Sequence, residues 1–168
     1  MTSGNHGPVN IVFAGLGGQG VLTASDIIAG VAFARGLDVK KSEIHGMSQR
    51  GGSVTSDVRF GEEVFSPMAP PGEADFLILL DQDQLEANRA ALAGDGVLLD
   101  PGLLDPRVAG NKRSLNVALV GLLSAWLDFG DQEWIDAIRA NLPARHHESN
   151  LEIFRAGRAA GLRLRAPG

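Results

Sequence analysis

The chain has 168 residues, a net charge of −5, 22 glycines and no cysteine. That length suits one domain, residues 1–168, burying roughly 70% of its unfolded surface. The lack of cysteine excludes disulfides, thiolate metal sites, a cysteine nucleophile and any iron–sulfur cluster held by this chain. The acidic balance argues against a nucleic-acid partner. No apolar run reaches the roughly 18 residues of a membrane span. His6, His45, His146 and His147 lack the spacing of a helical zinc pair. Met1 to Asn10 has neither the charged start nor the apolar core of a signal peptide. The expectation is a cytoplasmic protein without membrane partner or metal, with residues 1–8 as a flexible lead-in.

Val9 to Ala14 reads as a short buried strand, and Gly15-x-Gly17-x-x-Gly20 as a tight turn after it. Gln19 to Arg35 follows as a helix, with Val21, Ala24, Ile28 and Val31 at helical spacing and Gly36 as its stop. Asp38 to Ile44 is a second strand, which makes one right-handed βαβ unit. Ser53 to Phe60 alternates like a strand, Gly61-Glu62 turns, and Glu63 to Phe65 returns, predicting a β-hairpin. Ser66 to Gly72, with three prolines, is an extended crossing loop.

Ala74 to Leu80 is the most apolar strand and is expected at the centre of the sheet. Gln82 to Leu92 is a helix, Gly96 to Leu99 another parallel strand, and Asp100 to Lys112 a loop broken by Pro101 and Pro106. Ser114 caps a helix through Trp126 that is apolar nearly all round. Such a helix is buried on more than one side, and another subunit is one candidate for its cover. Gln132 to Asn141 and Glu148 to Gly161 complete the chain as helices. The expected class is α/β: a mostly parallel sheet flanked by helices, with an inserted β-hairpin. Arg155, Arg158, Arg163 and Arg165 form a local basic patch, read as a solvated helix face and tail.

Two clusters carry the functional signal. Gly15, Gly17, Gly18, Gln19 and Gly20 open a helix after a strand, where backbone N–H groups can receive a phosphate. The spacing also satisfies the dinucleotide fingerprint, and Glu43 stands near the place of the ribose-binding acid. Glycines that merely permit a tight turn are the bland alternative. The second cluster is His45, Gly46, Met47, Ser48, Gln49, Arg50, Gly51 and Gly52. Arg50 and His45 could clamp a carboxylate or phosphate. Met47 and Gln49 could instead pack on another chain, or Gly51-Gly52 could simply allow close backbone packing. Histidine is a common acid or base near neutral pH, but His45 has no identifiable acidic or nucleophilic companion, so no catalytic residue is assigned. Gly94-Asp95-Gly96 imitates the start of a thiamine diphosphate motif and is better explained as a helix-to-strand turn.

Together the segments Gly15 to Leu22, Lys41 to Val54 and Val58 to Gly61 closely resemble the gamma-type subunit of 2-oxoacid:ferredoxin oxidoreductases. The form His45 to Gly52 is most similar to the beta subunit of its indolepyruvate-oxidising branch. Ser66-Pro67, Glu73 to Asp75 and Asn116 to Gly121 also fit. The resemblance implies a subunit, inactive alone, of a complex that converts an arylpyruvate and coenzyme A to an aryl-acetyl-CoA and CO2 while reducing ferredoxin. It implies no cofactor on this chain. Thiamine diphosphate, magnesium and iron–sulfur clusters are expected on a larger partner subunit, with coenzyme A as co-substrate. The glycine turn and the loop from His45 to Gly52 would then wall the substrate or coenzyme A channel, or meet the partner. A free-standing dinucleotide-binding module is the competing expectation.

Overall fold

The computed structural model describes residues 7–46 and 51–167. Five strands form one sheet: β1 (Val9–Leu16), β2 (Asp38–His45), β3 (Ser53–Gly61), β4 (Ala74–Leu79) and β5 (Leu92–Leu99). Their order is β2-β3-β1-β4-β5. β1 runs parallel to β4, and β4 to β5, while β3 is antiparallel to both β1 and β2. The sheet is therefore mixed, which corrects the expectation of a mostly parallel one. β1, and not β4 as expected, is the middle strand; both bury two faces, β1 with Ile11 and Phe13 on one and Val12 and Ala14 on the other.

The hairpin is also relocated. β2 and β3 pair from Asp38↔Gly61 to His45↔Val54, so the hairpin loop is the segment between His45 and Ser53. Glu63 to Phe65 does not return as a strand. Both edges of β3 are taken by β1 and β2, and Val64 instead donates its N–H to Asp38 Oδ2 at 2.8 Å and buries its side chain. β1 and β2 remain parallel and joined by a helix, but β3 lies between them.

One face of the sheet carries α1 (Val21–Ala34), α4 (Leu115–Ser124), α5 (Asp131–Asn141) and α6 (His147–Arg165). All ten residues of α4 are buried, and α6 lies along it. The cover expected from another subunit is thus supplied by the chain itself. Gly121 and Gly157 bring the two helix backbones together, each facing a carbonyl of the other helix, Phe154 and Ala118 respectively. Trp134 fills the space beside them, edge-on to Phe129 with centroids 5.6 Å apart. Arg35, beyond the end of α1, grips Glu133 through Nε at 2.7 Å and stacks 5.0 Å from the Phe129 ring. That guanidinium holds the Glu133 carboxyl down to about 2.

The other face has a thinner cover. The Ser66 to Gly72 loop crosses it as expected, pinned by Arg59 Nη1 donating to the Ser66 carbonyl (2.7 Å) and by Ala69 N donating to Asp57 Oδ2 (3.0 Å). Burial pushes the Asp57 carboxyl up, against the hydrogen bond from Ala69. The expected helix from Gln82 to Leu92 is broken into 3-10 turns (Gln82–Gln84, Arg89–Ala91) around a single turn, α2 (Leu85–Asn88). Asp81 accepts from Asp83 N at 3.0 Å and Asn88 donates to the Gln84 carbonyl at 2.7 Å, local bonds that compete with a continuous helix. Gly94-Asp95-Gly96 lies inside β5, at a register shift against β4, and not in a turn before it. Pro101 and Pro106 begin helical turns, the second being α3 (Pro106–Ala109), because Asp100 and Asp105 cap Gly102 N and Arg107 N and proline suits a first turn.

Among the described residues no helix is long and apolar enough to cross a membrane. Ser56, fully buried on β3, has no hydrogen-bond partner for its Oγ among them. Ser56→Ala removes an unpaired hydroxyl at almost constant shape and is expected to stabilise the chain by about 1 kcal/mol. A higher urea midpoint with unchanged slope is the measurement that checks it.

Candidate functional site

The carboxyl ends of β1, β4 and β5 and the tip of the β2–β3 hairpin all lie at one edge of the sheet, as the pairing directions require. β1 leads away to β2 through α1, whereas β4 leads the other way to β5. The sheet therefore has a topological switch point between β1 and β4, where α/β folds open a crevice.

The glycine turn sits at that point. Gly18 and Gly20 adopt left-handed conformations, φ +87° and +83°, which L side chains rarely take. Gly20 is the N-cap of α1, and no side chain caps the helix or places an acid in its first turn among the described residues. The positive end of a 14-residue helix is thus uncompensated by those side chains. Gln19 is a brace: its Oε1 accepts from Leu16 N at 2.7 Å, and its Nε2 donates to Asp81 Oδ2 at 3.1 Å, just past β4. Asn116, in the first turn of α4, is nearly buried and reaches the Gly20 carbonyl with its Nδ2 at 3.4 Å.

The two sequence clusters meet. Gly17 N donates to the Gly52 carbonyl at 2.8 Å, and a Cβ on Gly17 would stand 3.5 Å from Gly51 N. Gly46 N donates to the Ser53 carbonyl at 2.6 Å, closing the hairpin loop. Met47, Ser48, Gln49 and Arg50 lie outside the described residues. His45, Val54 and Gly15 stand in one row across β2, β3 and β1, with His45 exposed on the edge strand. Glu43 stands in the row of Ser56 and Phe13 and accepts from Lys41 Nζ at 3.1 Å; Lys41 also pairs with Asp26 of α1. One whole strand, roughly 5 Å wide, separates Glu43 from the position beside β1 that a ribose-binding acid needs. The sheet order is not that of a dinucleotide-binding half, whose second strand neighbours the first.

Beside the glycine turn lies an open cleft of about 520 Å³, lined among others by Gln19, Asp81, Gln82, Gly102, Lys112 and Leu115. Sequence reasoning missed this wall. Its signal was available in Asp81, directly after the most apolar strand, since ligands gather at the carboxyl ends of such strands. Among the described residues Lys112 is the one cation lining the cleft. Among the described residues no cluster of three or more His, Asp or Glu side chains could hold a metal ion.

Comparison with known proteins agrees with this architecture. A family model described as pyruvate ferredoxin/flavodoxin oxidoreductase matches residues 10–106, the sheet but for Val9, with both clusters. The chain is 49% identical to the indolepyruvate oxidoreductase subunit IorB of Thermococcus kodakarensis, over 88% of this chain and 93% of that one. The gamma subunit of a keto/oxoacid ferredoxin oxidoreductase from Geobacter sulfurreducens has the same fold, with a TM-score of 0.77 at 23% identity, covering 94% of this chain and 98% of that one. The fold recurs in the 2-oxoglutarate:ferredoxin oxidoreductase of Magnetococcus marinus, solved with 2-oxoglutarate, coenzyme A and succinyl-CoA, with a TM-score of 0.80 at 19% identity. There 95% of this chain matches only 32% of a much longer one. By the matched residues and by the identity to IorB, the chain belongs to the pyruvate ferredoxin/flavodoxin oxidoreductase family.

Proposed function

We propose that this chain is the cofactor-free subunit of an indolepyruvate:ferredoxin oxidoreductase complex. The observation that carries this reading is the 49% identity, over nearly the full length of both chains, to a protein named as an indolepyruvate oxidoreductase subunit. The complex would join an arylpyruvate to coenzyme A, release CO2 and pass two electrons to ferredoxin. With no cysteine, this chain cannot ligate an iron–sulfur cluster through thiolates. Nor does Gly94-Asp95-Gly96, held within β5, present a magnesium-diphosphate turn. Those groups, and the thiamine chemistry, belong on this reading to a larger partner subunit.

This chain's part is binding and positioning. The glycine turn and the α1 N-terminus offer N–H groups and a positive field to a phosphate of coenzyme A, and Lys112 adds a point charge to the cleft lining. Gln19 keeps the turn and the β4 terminus in register. Arg50 supplies a bidentate contact to a carboxylate or phosphate, with His45 and Gln49 as hydrogen-bonding groups at the subunit junction.

Reconstitution tests the proposal. The purified chain and the larger subunit should each be inactive, and the mixture should reduce ferredoxin only with both indolepyruvate and coenzyme A present. Lys112→Ala should raise the KM for coenzyme A about tenfold, the worth of one charge-assisted contact, with little change in the KM for indolepyruvate. Turnover of indolepyruvate by the isolated chain, or an unchanged coenzyme A KM in Lys112→Ala, would contradict it.

A further inference from the structure

The C-terminal arginines have no place in that scheme. Residues 155–165 carry four arginines and no acid, in a chain whose net charge is −5. The same half of α6 exposes Leu162 and Leu164. Between α5 and α6 runs a second groove, about 270 Å³, lined by Ile135, Phe154, Arg155, Arg158, Ala159 and Leu162. Its one carboxylate, Asp131, already faces Arg158 at 3.8 Å. Arg158 is further held by the Ser124 hydroxyl at 3.4 Å, and Arg165 lies over the Trp126 ring at 5.8 Å. Arg155 has no ion-pair partner among the described residues, and it stands one and two turns before Ala159 and Leu162 on the same helix face.

We infer that this groove docks an acidic segment of the larger subunit, with an apolar side chain entering between Ile135 and Leu162 and carboxylates meeting Arg155 and Arg158. The inference rests on the subunit reading above. Charge complementarity selects the occupant: a basic, apolar-floored strip on an otherwise acidic protein repels most of a second copy of this chain. It attracts a segment that interleaves carboxylates with apolar residues. The groove lies on the helix side of the sheet, so it forms a contact separate from the glycine turn.

The test measures the Kd between this chain and the larger subunit at low and high salt, for the wild type, Arg155→Glu, Leu162→Gln and a control, Arg89→Glu, on the other side of the sheet. Arg155 and Leu162 are exposed, and Glu and Gln are good helix formers, so both variants keep the fold. Arg155→Glu should weaken binding at least about tenfold at low salt and flatten the salt dependence. Leu162→Gln should weaken binding with the salt dependence intact, and Arg89→Glu should do neither. Wild-type Kd and salt dependence in both groove variants overturns the inference. So does self-association, or sedimentation with phosphatidylserine vesicles, that Arg155→Glu abolishes while assembly is unaffected. If the wild type fails to bind the larger subunit at all, the subunit reading falls and the groove assignment with it.

Discussion

Gly157→Ala is expected to destabilise the chain by about 3 kcal/mol or more, the upper range for overpacking a core. A Cβ at Gly157 would fall on the Ala118 carbonyl, with Leu122 N at 3.0 Å. The obstacle is backbone, so no rotamer change relieves it. α6 would have to lift off α4, whose ten buried residues also pack on α1 and β5. Gly161 repeats the arrangement one turn later, with Leu122 O at 2.5 Å and the Ala125 Cβ at 2.7 Å from its missing side chain. Gly30 supplies the contrast. It lies inside α1, where a Cβ would meet Asn141 Nδ2 at an ordinary 3.6 Å. Gly30→Ala should therefore stabilise by about 0.5–1 kcal/mol, the helix-propensity gain alone. Urea unfolding of the two variants should move in opposite directions. Equal midpoints would mean that the α4–α6 spacing yields without cost.

These two glycines show what the sequence could and could not convey. The periodicity of α5 and α6 was legible because each has one apolar face, and α1 was legible from its apolar spacing after the glycine turn. The all-apolar run of α4 announced burial, but not by what. Its cover is α6, through Gly121 and Gly157, and a close glycine contact leaves no hydrophobic signal in the sequence. Strands β1 to β4 were legible to within a residue or two, whereas β5 begins four residues before its expected start and Glu63 to Phe65 is no strand; strand partners were not legible. The alternation in β3 matched a hairpin with either flank; in the structure β2 is the partner, and Val64 reaches back to Asp38, a contact 26 residues apart. The broken helix after β4 failed for a local reason, the capping by Asp81 and Asn88.

At the site, the glycine turn and the hairpin loop were identified as separate motifs. That they touch through Gly17 and Gly52 follows only from the antiparallel register of β1 and β3. Glu43, in contrast, owed its apparent place to counting residues from the glycines. Counting takes β2 to be the neighbour of β1, and the inserted β3 removes that adjacency. Lys112 and Asp81 escaped notice because a cleft lined by the glycine turn, the segments after β4 and β5, and the start of α4 joins residues with no common motif.

The glycine turn offers the sharpest functional test, since two of its residues share a backbone conformation and differ in their surroundings. Gly18→Ala and Gly20→Ala both force a side chain into the left-handed region, at about 1–2 kcal/mol each. Around Gly18 there is nothing within 4 Å, so strain is the whole effect. At Gly20 the new methyl would strike the Asn116 amide, whose Cγ stands 2.9 Å away. Asn116 is nearly buried at the head of α4, next to Leu115, which lines the cleft. Gly20 directly follows Gln19, whose amide holds Asp81 at the cleft. Gly20→Ala is accordingly expected to lower coenzyme A-dependent turnover of the reconstituted complex by about a hundredfold, as misplacements of about 1 Å can, whereas Gly18→Ala should lose little beyond stability. Urea unfolding run beside the kinetics separates the two contributions. If both variants lose stability equally and activity equally, strain in the turn governs function and the Asn116 contact does not. If Gly20→Ala retains full activity at reduced stability, the cleft is not where coenzyme A is held.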